Sequence, residues 1–265
     1  MAEIALRNYN QEVQDLIDHG HLDEAIAHSQ HILARYPKHV ETYRLLGKAY
    51  LEQNRHADAA DIFQRVLSAI PDDFLSHVAM AIMREDSGNL DAAIWHMERA
   101  HEVNPSNPTV QQEVRRLRGR RDGVEPARLR LTRAALARMY IKGGFFAQAV
   151  AEIRAALEED ADRPDLQVML ASALAQSGQA AEAGEICNAV LGKLPYCVEA
   201  NQIQAQILWR VGRKPEAQEV FRRLSLLDPY RGVRPPTDDG RMPEVAAGAV
   251  TLGRLTWEPG LPSGS

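Results

Sequence analysis

The chain has 265 residues, 45% hydrophobic and 25% charged, the balance of a globular protein with chain enough for one large core or two small ones. A net charge of -5 argues against nucleic acid or an anionic membrane as partner of the whole surface, and two cysteines are too few for a disulfide framework. No stretch approaches the roughly 18 apolar residues of a membrane span, and the start, MAEIALRNYNQ, carries charge where a signal peptide has an apolar core, so a cytoplasmic setting is expected.

From its beginning the chain falls into units of 34 residues. Gly20, Asn54 and Gly88 recur at that spacing, and so do Gly144, Gly178 and Gly212. Five residues after each stands an alanine: Ala25, Ala59, Ala93, Ala149, Ala183 and Ala217. Seven residues before each is a small residue, Gly47, Ala81, Ala137, Ala171 or Ala205, with Val13 the exception. Seventeen after comes a proline, Pro37, Pro71, Pro105, Pro195 or Pro229, with Ala161 in its place once. Apolar residues at helical spacing flank each turn, as in YRLLGKAYL and AADIFQRVL, so every unit predicts two amphipathic helices. Glycine, or asparagine once, ends the first helix in the left-handed conformation. The small residues stand where the two helices touch, and the proline ends the second. The units run 6–39, 40–73, 74–107, 130–163, 164–197 and 198–231.

The second unit, ETYRLLGKAYLEQNRHADAADIFQRVLSAIPDD, carries Leu46, Gly47, Tyr50, Ala59, Phe63 and Pro71, and on these residues it resembles the tetratricopeptide repeat. The resemblance extends over residues 6–231 apart from one insertion. It implies an all-α solenoid of helical hairpins, a right-handed superhelix whose first helices line a concave groove, and a non-enzymatic function in holding a protein or peptide segment. Helices are expected from about residue 4 to 230, with no β-sheet. Repeats one to three occupy 1–107, a capping helix and basic linker 108–129, repeats four to six 130–231, and a flexible Pro/Gly-rich tail 232–265.

Carried onto this chain, the family's groove positions are Asn10, Gln14, Arg44, Lys48, Leu51, Leu75, Val78 and Ile82 in the first block. In the second they are Arg138, Ile141, Lys142, Val168, Ser172, Gln202, Gln206 and Trp209. This mixed surface, partly apolar and partly basic, suits a segment with apolar anchors and some acidic charge. Trp209 is either an interface anchor or a packing residue against the next helix or the tail. Some members clamp a chaperone's terminal carboxylate with lysine, asparagine and arginine. The matching places hold Asn10, Gln14, Leu45, Leu75 and Ala79, or Ala134, Arg138, Met169, Glu199 and Ile203, and neither set reproduces the clamp.

Residues 108–129 break the register. Asn107 and Pro108 open a helix whose apolar stripe is Val110, Val114 and Leu117. Gly119 to Gly123 reads as a turn, and Pro126 opens an extended first helix of the fourth unit. The segment is expected to cap the first block. Its arginines, Arg115, Arg116, Arg118, Arg120 and Arg121, with Arg128, Arg130 and Arg133 beyond, form a basic patch. They carry the alternative function, a regulatory or assembly protein contacting nucleic acid or another polyanion through residues 115–133. No aromatic residue is interleaved to stack bases, so nucleic acid is the lesser expectation.

Beyond Pro229 the helical period stops. The island AVTLGRLTW, with Val250, Leu252, Leu255 and Trp257, is apolar enough to dock. The open end of the sixth repeat, or disorder, is expected in preference to the groove beside Trp209. The sequence holds no phosphate-binding loop, metalloprotease helix or nucleophile elbow. His19, His21, His28 and His31 have no cysteine or carboxylate at ligand spacing, so neither a metal nor a cofactor is expected. Cys187 takes the slot of Phe63 and Phe221 and is expected to be a small buried hydrophobe.

Overall fold

The computed structural model describes residues 3–232, 237–238 and 243–258, and among these it contains thirteen α-helices. They are α1 (Leu6–Asp18), α2 (Leu22–Arg35), α3 (Val40–Glu52), α4 (His56–Ala69), α5 (Phe74–Asp86), α6 (Leu90–Val103), α7 (Pro108–Asp122), α8 (Arg133–Lys142), α9 (Phe146–Glu159), α10 (Pro164–Gln176), α11 (Ala180–Lys193), α12 (Val198–Arg210) and α13 (Lys214–Leu227). Twelve fall into six consecutive pairs, and α7 is the extra helix of the insertion. The chain divides into two compact units, residues 1–66 with 208–265, and residues 67–207.

The six turn residues have positive φ: 78° at Gly20, 58° at Asn54, 79° at Gly88, 76° at Gly144, 85° at Gly178 and 81° at Gly212. Asn54 is the one non-glycine of this kind among the described residues, and asparagine is the side chain that bears this conformation best. The next N–H closes each turn on a carbonyl five residues back, from His21 to Leu16 at 2.9 Å and from Gln179 to Leu174 at 2.9 Å. This is the Schellman closure, which satisfies carbonyls that the helix end leaves free.

All six alanines after the turns are fully buried. Their counterparts before the turns, Ala81, Ala137, Ala171 and Ala205, are buried as completely. The α3–α4 crossing leaves no room for a side chain at Gly47. A Cβ on Gly47 would lie 3.0 Å from Cε1 and Cζ of Phe63 and 3.1 Å from Ile62 Cγ2, so only glycine fits without moving the ring.

The insertion's helix packs on the third hairpin and is longer than expected. Asn107 accepts from the N–H groups of Thr109 and Val110 at 3.0 and 3.2 Å, and Pro108 takes the first turn. Val110, Val114 and Leu117 are buried against Ala81, Ala93, Ile94, Met97 and Ala100 of α5 and α6. The expected turn at Gly119 is instead helix. That glycine leaves room for the backbone of Glu125, whose Cα would lie 3.1 Å from a Cβ there, and the stop comes at Gly123 with φ 79°. The fourth repeat's first helix begins at Arg133 rather than near Pro126, because Thr132 caps it by accepting from the Ala135 N–H at 3.2 Å.

The larger correction concerns the tail, in the unit of residues 1–66 and 208–265. Strand β1 (Glu3–Ala5) pairs antiparallel with β2 (Thr251–Gly253), Ile4 opposite Leu252, where no strand was expected. The island therefore pairs with the first repeat, while Tyr230 at the end of the sixth repeat donates to Ala247 O at 2.7 Å, and the island does not lie beside Trp209. The reason lies in the start of α1, whose first N–H groups have no partner within the helix. Leu6 N–H donates to Val250 O at 2.9 Å, and Arg7 N–H to the Tyr230 hydroxyl at 3.2 Å. Val245, Val250 and Leu252 are buried there.

The close crossings give a direct test. Ala183→Leu is expected to destabilise the chain by about 1–3 kcal/mol through overpacking in chemical denaturation. Ala180→Leu, at an exposed position in the same helix, should stay within about 0.5 kcal/mol.

Candidate functional site

In the unit of residues 67–207, the first helices α8, α10 and α12 present successive turns to one cavity of about 640 Å³. The cavity is lined by Arg138, Ile141 and Lys142 from α8, by Val168, Met169 and Ser172 from α10, and by Val198, Glu199, Gln202, Ile203 and Gln206 from α12. Helical spacing puts each set on one face. Ile70, Pro71 and Asp72, just beyond α4, form a further wall.

The walls are charged in balance rather than basic. Arg138 Nη1 donates to Asp72 Oδ2 at 2.8 Å, while its buried Nε has no hydrogen-bond partner. Glu199 keeps solvent contact, yet the protein enclosing the concavity raises its carboxyl above the ordinary range, against a hydrogen bond from Ser172. Asp165 is buried, which alone would raise its carboxyl, but Arg163 more than offsets this and holds it low. Two cations, Arg138 and Lys142, thus face three carboxylates, Asp72, Asp165 and Glu199. The lining is thus less basic than the groove positions alone indicated, since the sequence pattern missed Asp72 and Asp165.

A buried ion network supports the cavity. Arg163 Nε and Nη2 donate to the two oxygens of Asp165 at 2.8 and 2.6 Å, and Nη2 also reaches Glu102 Oε2 at 2.7 Å. Arg99 Nη2 donates to Glu102 Oε1 at 3.0 Å. All four side chains are buried, and the network joins α6 to the start of α10. Nearby, His77 Nε2 donates to Pro71 O at 3.0 Å, and its Nδ1 meets His96 Nδ1 at 3.0 Å. Burial lowers the His77 imidazole, and burial followed by His77 brings His96 down to about 3.

The remaining groove positions lie outside this cavity. Asn10 is buried and accepts from the Thr42 hydroxyl at 2.9 Å, which pins α1 to α3 and removes it from any groove. Gln14 and Lys48 both donate to Asp18 at 2.7 Å, Arg44 pairs with Glu41 at 2.6 Å, and Leu51 is half-buried. On α5, Leu75 and Ile82 are exposed and Val78 packs partly on the core beneath α7. Trp209 stacks edge-on against Phe221 at 5.9 Å and donates its indole N–H to Asp238 O at 3.2 Å, so the packing alternative describes its setting.

Each arginine of the insertion's helix has a carboxylate. Arg115 pairs with Glu125 at 2.9 Å, Arg116 with Glu85 and Glu113 at 2.6 Å, and Arg118 with Glu98 at 2.5 Å. Arg120 also reaches Glu85, and Arg121 pairs with Asp122 at 2.6 Å. Farther on, Arg133 bridges Glu152 and Glu159 at 3.0 and 3.2 Å. The histidines are dispersed: His28 Nδ1 meets the Tyr9 hydroxyl at 2.7 Å, and His31 Nε2 meets Gly253 O at 2.8 Å. Among the described residues no three His, Cys, Asp or Glu side chains are grouped to hold a metal ion. Cys187 is fully buried, which pushes its thiol up to about 12. No described helix is long and apolar enough to cross a membrane.

Six hairpins with left-handed turns, buried alanine crossings and a cavity walled by first helices define a helical-repeat protein of the protein-binding class. A tetratricopeptide-repeat profile matches residues 10–74 and 134–196, and a second matches residues 203–223. The chain belongs to the tetratricopeptide-repeat family. No curated protein matches it in sequence. Among solved structures, the TPR2AB-domain:pHSP90 complex of yeast Sti1 is similar at 16% identity and TM-score 0.38, over 82% of this chain and 88% of that one. The TPR domain of P58(IPK) gives 12% and 0.39 over 83% and 59%, and MamA protein 16% and 0.38 over 71% and 90%. The family assignment rests on the repeat profiles and the turn geometry.

Two outcomes follow from the buried charges. Arg163→Met leaves Glu102 and Asp165 without their shared cation, and denaturation should show a loss of about 3–5 kcal/mol. The His77–His96 pair makes stability depend on pH. Both imidazoles are held below the ordinary value near 6.5, so the unfolded chain takes up protons that the folded chain refuses. Their full contribution is present above that value and is lost as pH falls, down to about 3 for His96. The melting temperature should therefore fall between pH 7 and pH 5, by roughly 2–4 °C for each kcal/mol lost. His96→Gln should flatten that fall.

Proposed function

We propose that this chain is a non-enzymatic interaction module that holds a protein or peptide segment in the cavity of α8, α10 and α12. One observation carries the reading. Seven of the eight second-block groove positions carried over from the family resemblance, Arg138, Ile141, Lys142, Val168, Ser172, Gln202 and Gln206, line one cavity, Trp209 being the exception. Ile141, Val168, Met169 and Ile203 offer apolar seats, and Gln202, Gln206 and Lys142 offer hydrogen bonds to a segment's main chain. With Arg138 matched by Asp72, and Glu199 in the same wall, the favoured occupant is apolar at its centre and not strongly acidic. The setting is cytoplasmic, where two free buried thiols persist. The polyanion alternative is the weaker one, because the arginines of α7 are already matched to carboxylates and their field is local.

Affinity capture with mass spectrometry tests this on variants of the intact chain. Ile141→Glu places a charge on the apolar wall, and Gln206→Trp fills the space. Either should weaken capture of the partner by about 30-fold, the loss of a 2 kcal/mol anchor, with helical content unchanged. The triple Arg115→Gln, Arg116→Gln, Arg118→Gln variant should keep its capture. Capture lost in the triple variant and intact in both cavity variants contradicts the reading.

A further inference from the structure

The docked tail is more than a local cap, because the surface beneath it reads the main chain of its occupant on both sides. On one side β1 pairs with β2. In an antiparallel pair alternate carbonyls point away from the partner strand. With Leu6 N–H on Val250 O and Ile4 opposite Leu252, those of Thr251 and Gly253 face away from β1. There α2 and the residue that ends it take both: His31 Nε2 meets Gly253 O at 2.8 Å and the Tyr36 hydroxyl donates to Thr251 O at 3.2 Å. At the two ends, Arg7 Nη1 donates to Val245 O at 3.0 Å, and the Tyr9 hydroxyl accepts from Leu255 N–H at 2.9 Å.

Side-chain selection is confined to a few positions. Val250 and Leu252 are buried at alternate positions, and Arg254 Nε pairs with Glu12 Oε2 at 2.8 Å. Recognition of this kind, main-chain bonds for affinity and alternate pockets for choice, is strand addition.

We infer that this face of α1 and α2 is a strand-binding site, held in cis by residues 245–255, that takes in trans an extended partner segment of the same chemistry. That chemistry is an apolar residue, a second one two positions on, and an arginine two positions after that. Glu12 supplies the charge complement for the arginine. The tail competes as a tethered ligand, at an effective concentration on the order of 1 mM, so a partner segment of ordinary affinity displaces it. The site is separate from the cavity of α8, α10 and α12 and does not depend on it.

The test uses the full chain and a synthetic peptide of residues 243–258. In the Leu252→Asp chain the tail's own pocket residue is spoiled, and the peptide should bind at least tenfold more tightly than to the unaltered chain. Adding Glu12→Arg should weaken that binding, whereas adding Ile141→Glu should not. In the unaltered, isotope-labelled chain, roughly 1 mM peptide should move the Arg254 and Leu255 amide signals toward those of the free segment. This second measurement decides the matter if the Leu252→Asp chain does not fold. Absence of binding to a folded Leu252→Asp chain overturns the inference. So does an unmoved tail signal in the unaltered chain, or binding that Ile141→Glu abolishes.

Discussion

Two helices in a hairpin can touch along their length only where neither carries a bulky side chain at the crossing. In this protein that constraint is met by an alanine five residues after each turn, fully buried in all six pairs, and at Gly47 by the absence of any side chain beside Phe63. The left-handed turn makes the approach possible, since it reverses the chain while closing the last carbonyls of the first helix. Everything larger follows from repeating this hairpin. Within the unit of residues 67–207 one hairpin covers the apolar face of the next, and where the register breaks α7 supplies a stripe of Val110, Val114 and Leu117 to do so.

The cavity follows from what the break permits. The hairpins before and after the insertion lie in one compact unit, and they are joined through charges rather than apolar contact alone. Arg163 lies between Glu102 and Asp165, and Arg138 reaches Asp72. Buried pairs of this kind add little net stability, yet each is costly to leave half-made, so they favour one arrangement over its alternatives. The arrangement they favour is the one in which Ile70, Pro71 and Asp72 wall off the faces of α8, α10 and α12. Removing the network should therefore loosen the cavity together with the fold.

Local features were legible in the sequence and remote pairings were not. The turns, the alanines and the stripe on α7 are set by residues within one unit of each other, and periodicity alone exposes them. The cavity face was legible through the family resemblance, whose groove positions Arg138, Ser172 and Gln206 recur 34 residues apart on successive first helices. Asp72 and Asp165 were missed because their roles depend on arginines elsewhere in the chain. Asn10 was misjudged since nothing local marks its bond to Thr42. The tail's pairing with the first repeat was missed because two three-residue strands, far apart in the chain, are too short for any alternation to show. Gly119 illustrates the opposite error: glycine is a frequent helix stop, but here close packing against Glu125 accounts for it.

A photo-crosslinking amino acid placed at Gln206 and, separately, at Glu185 bears most directly on the cavity as the binding site. Gln206 lines the cavity, and Glu185 is exposed on α11, away from the cavity lining. Irradiation with the captured partner should yield an adduct from position 206 that maps to one short partner segment, and none from 185. An adduct from 185 with none from 206 would contradict the assignment and place the partner on the second helices instead.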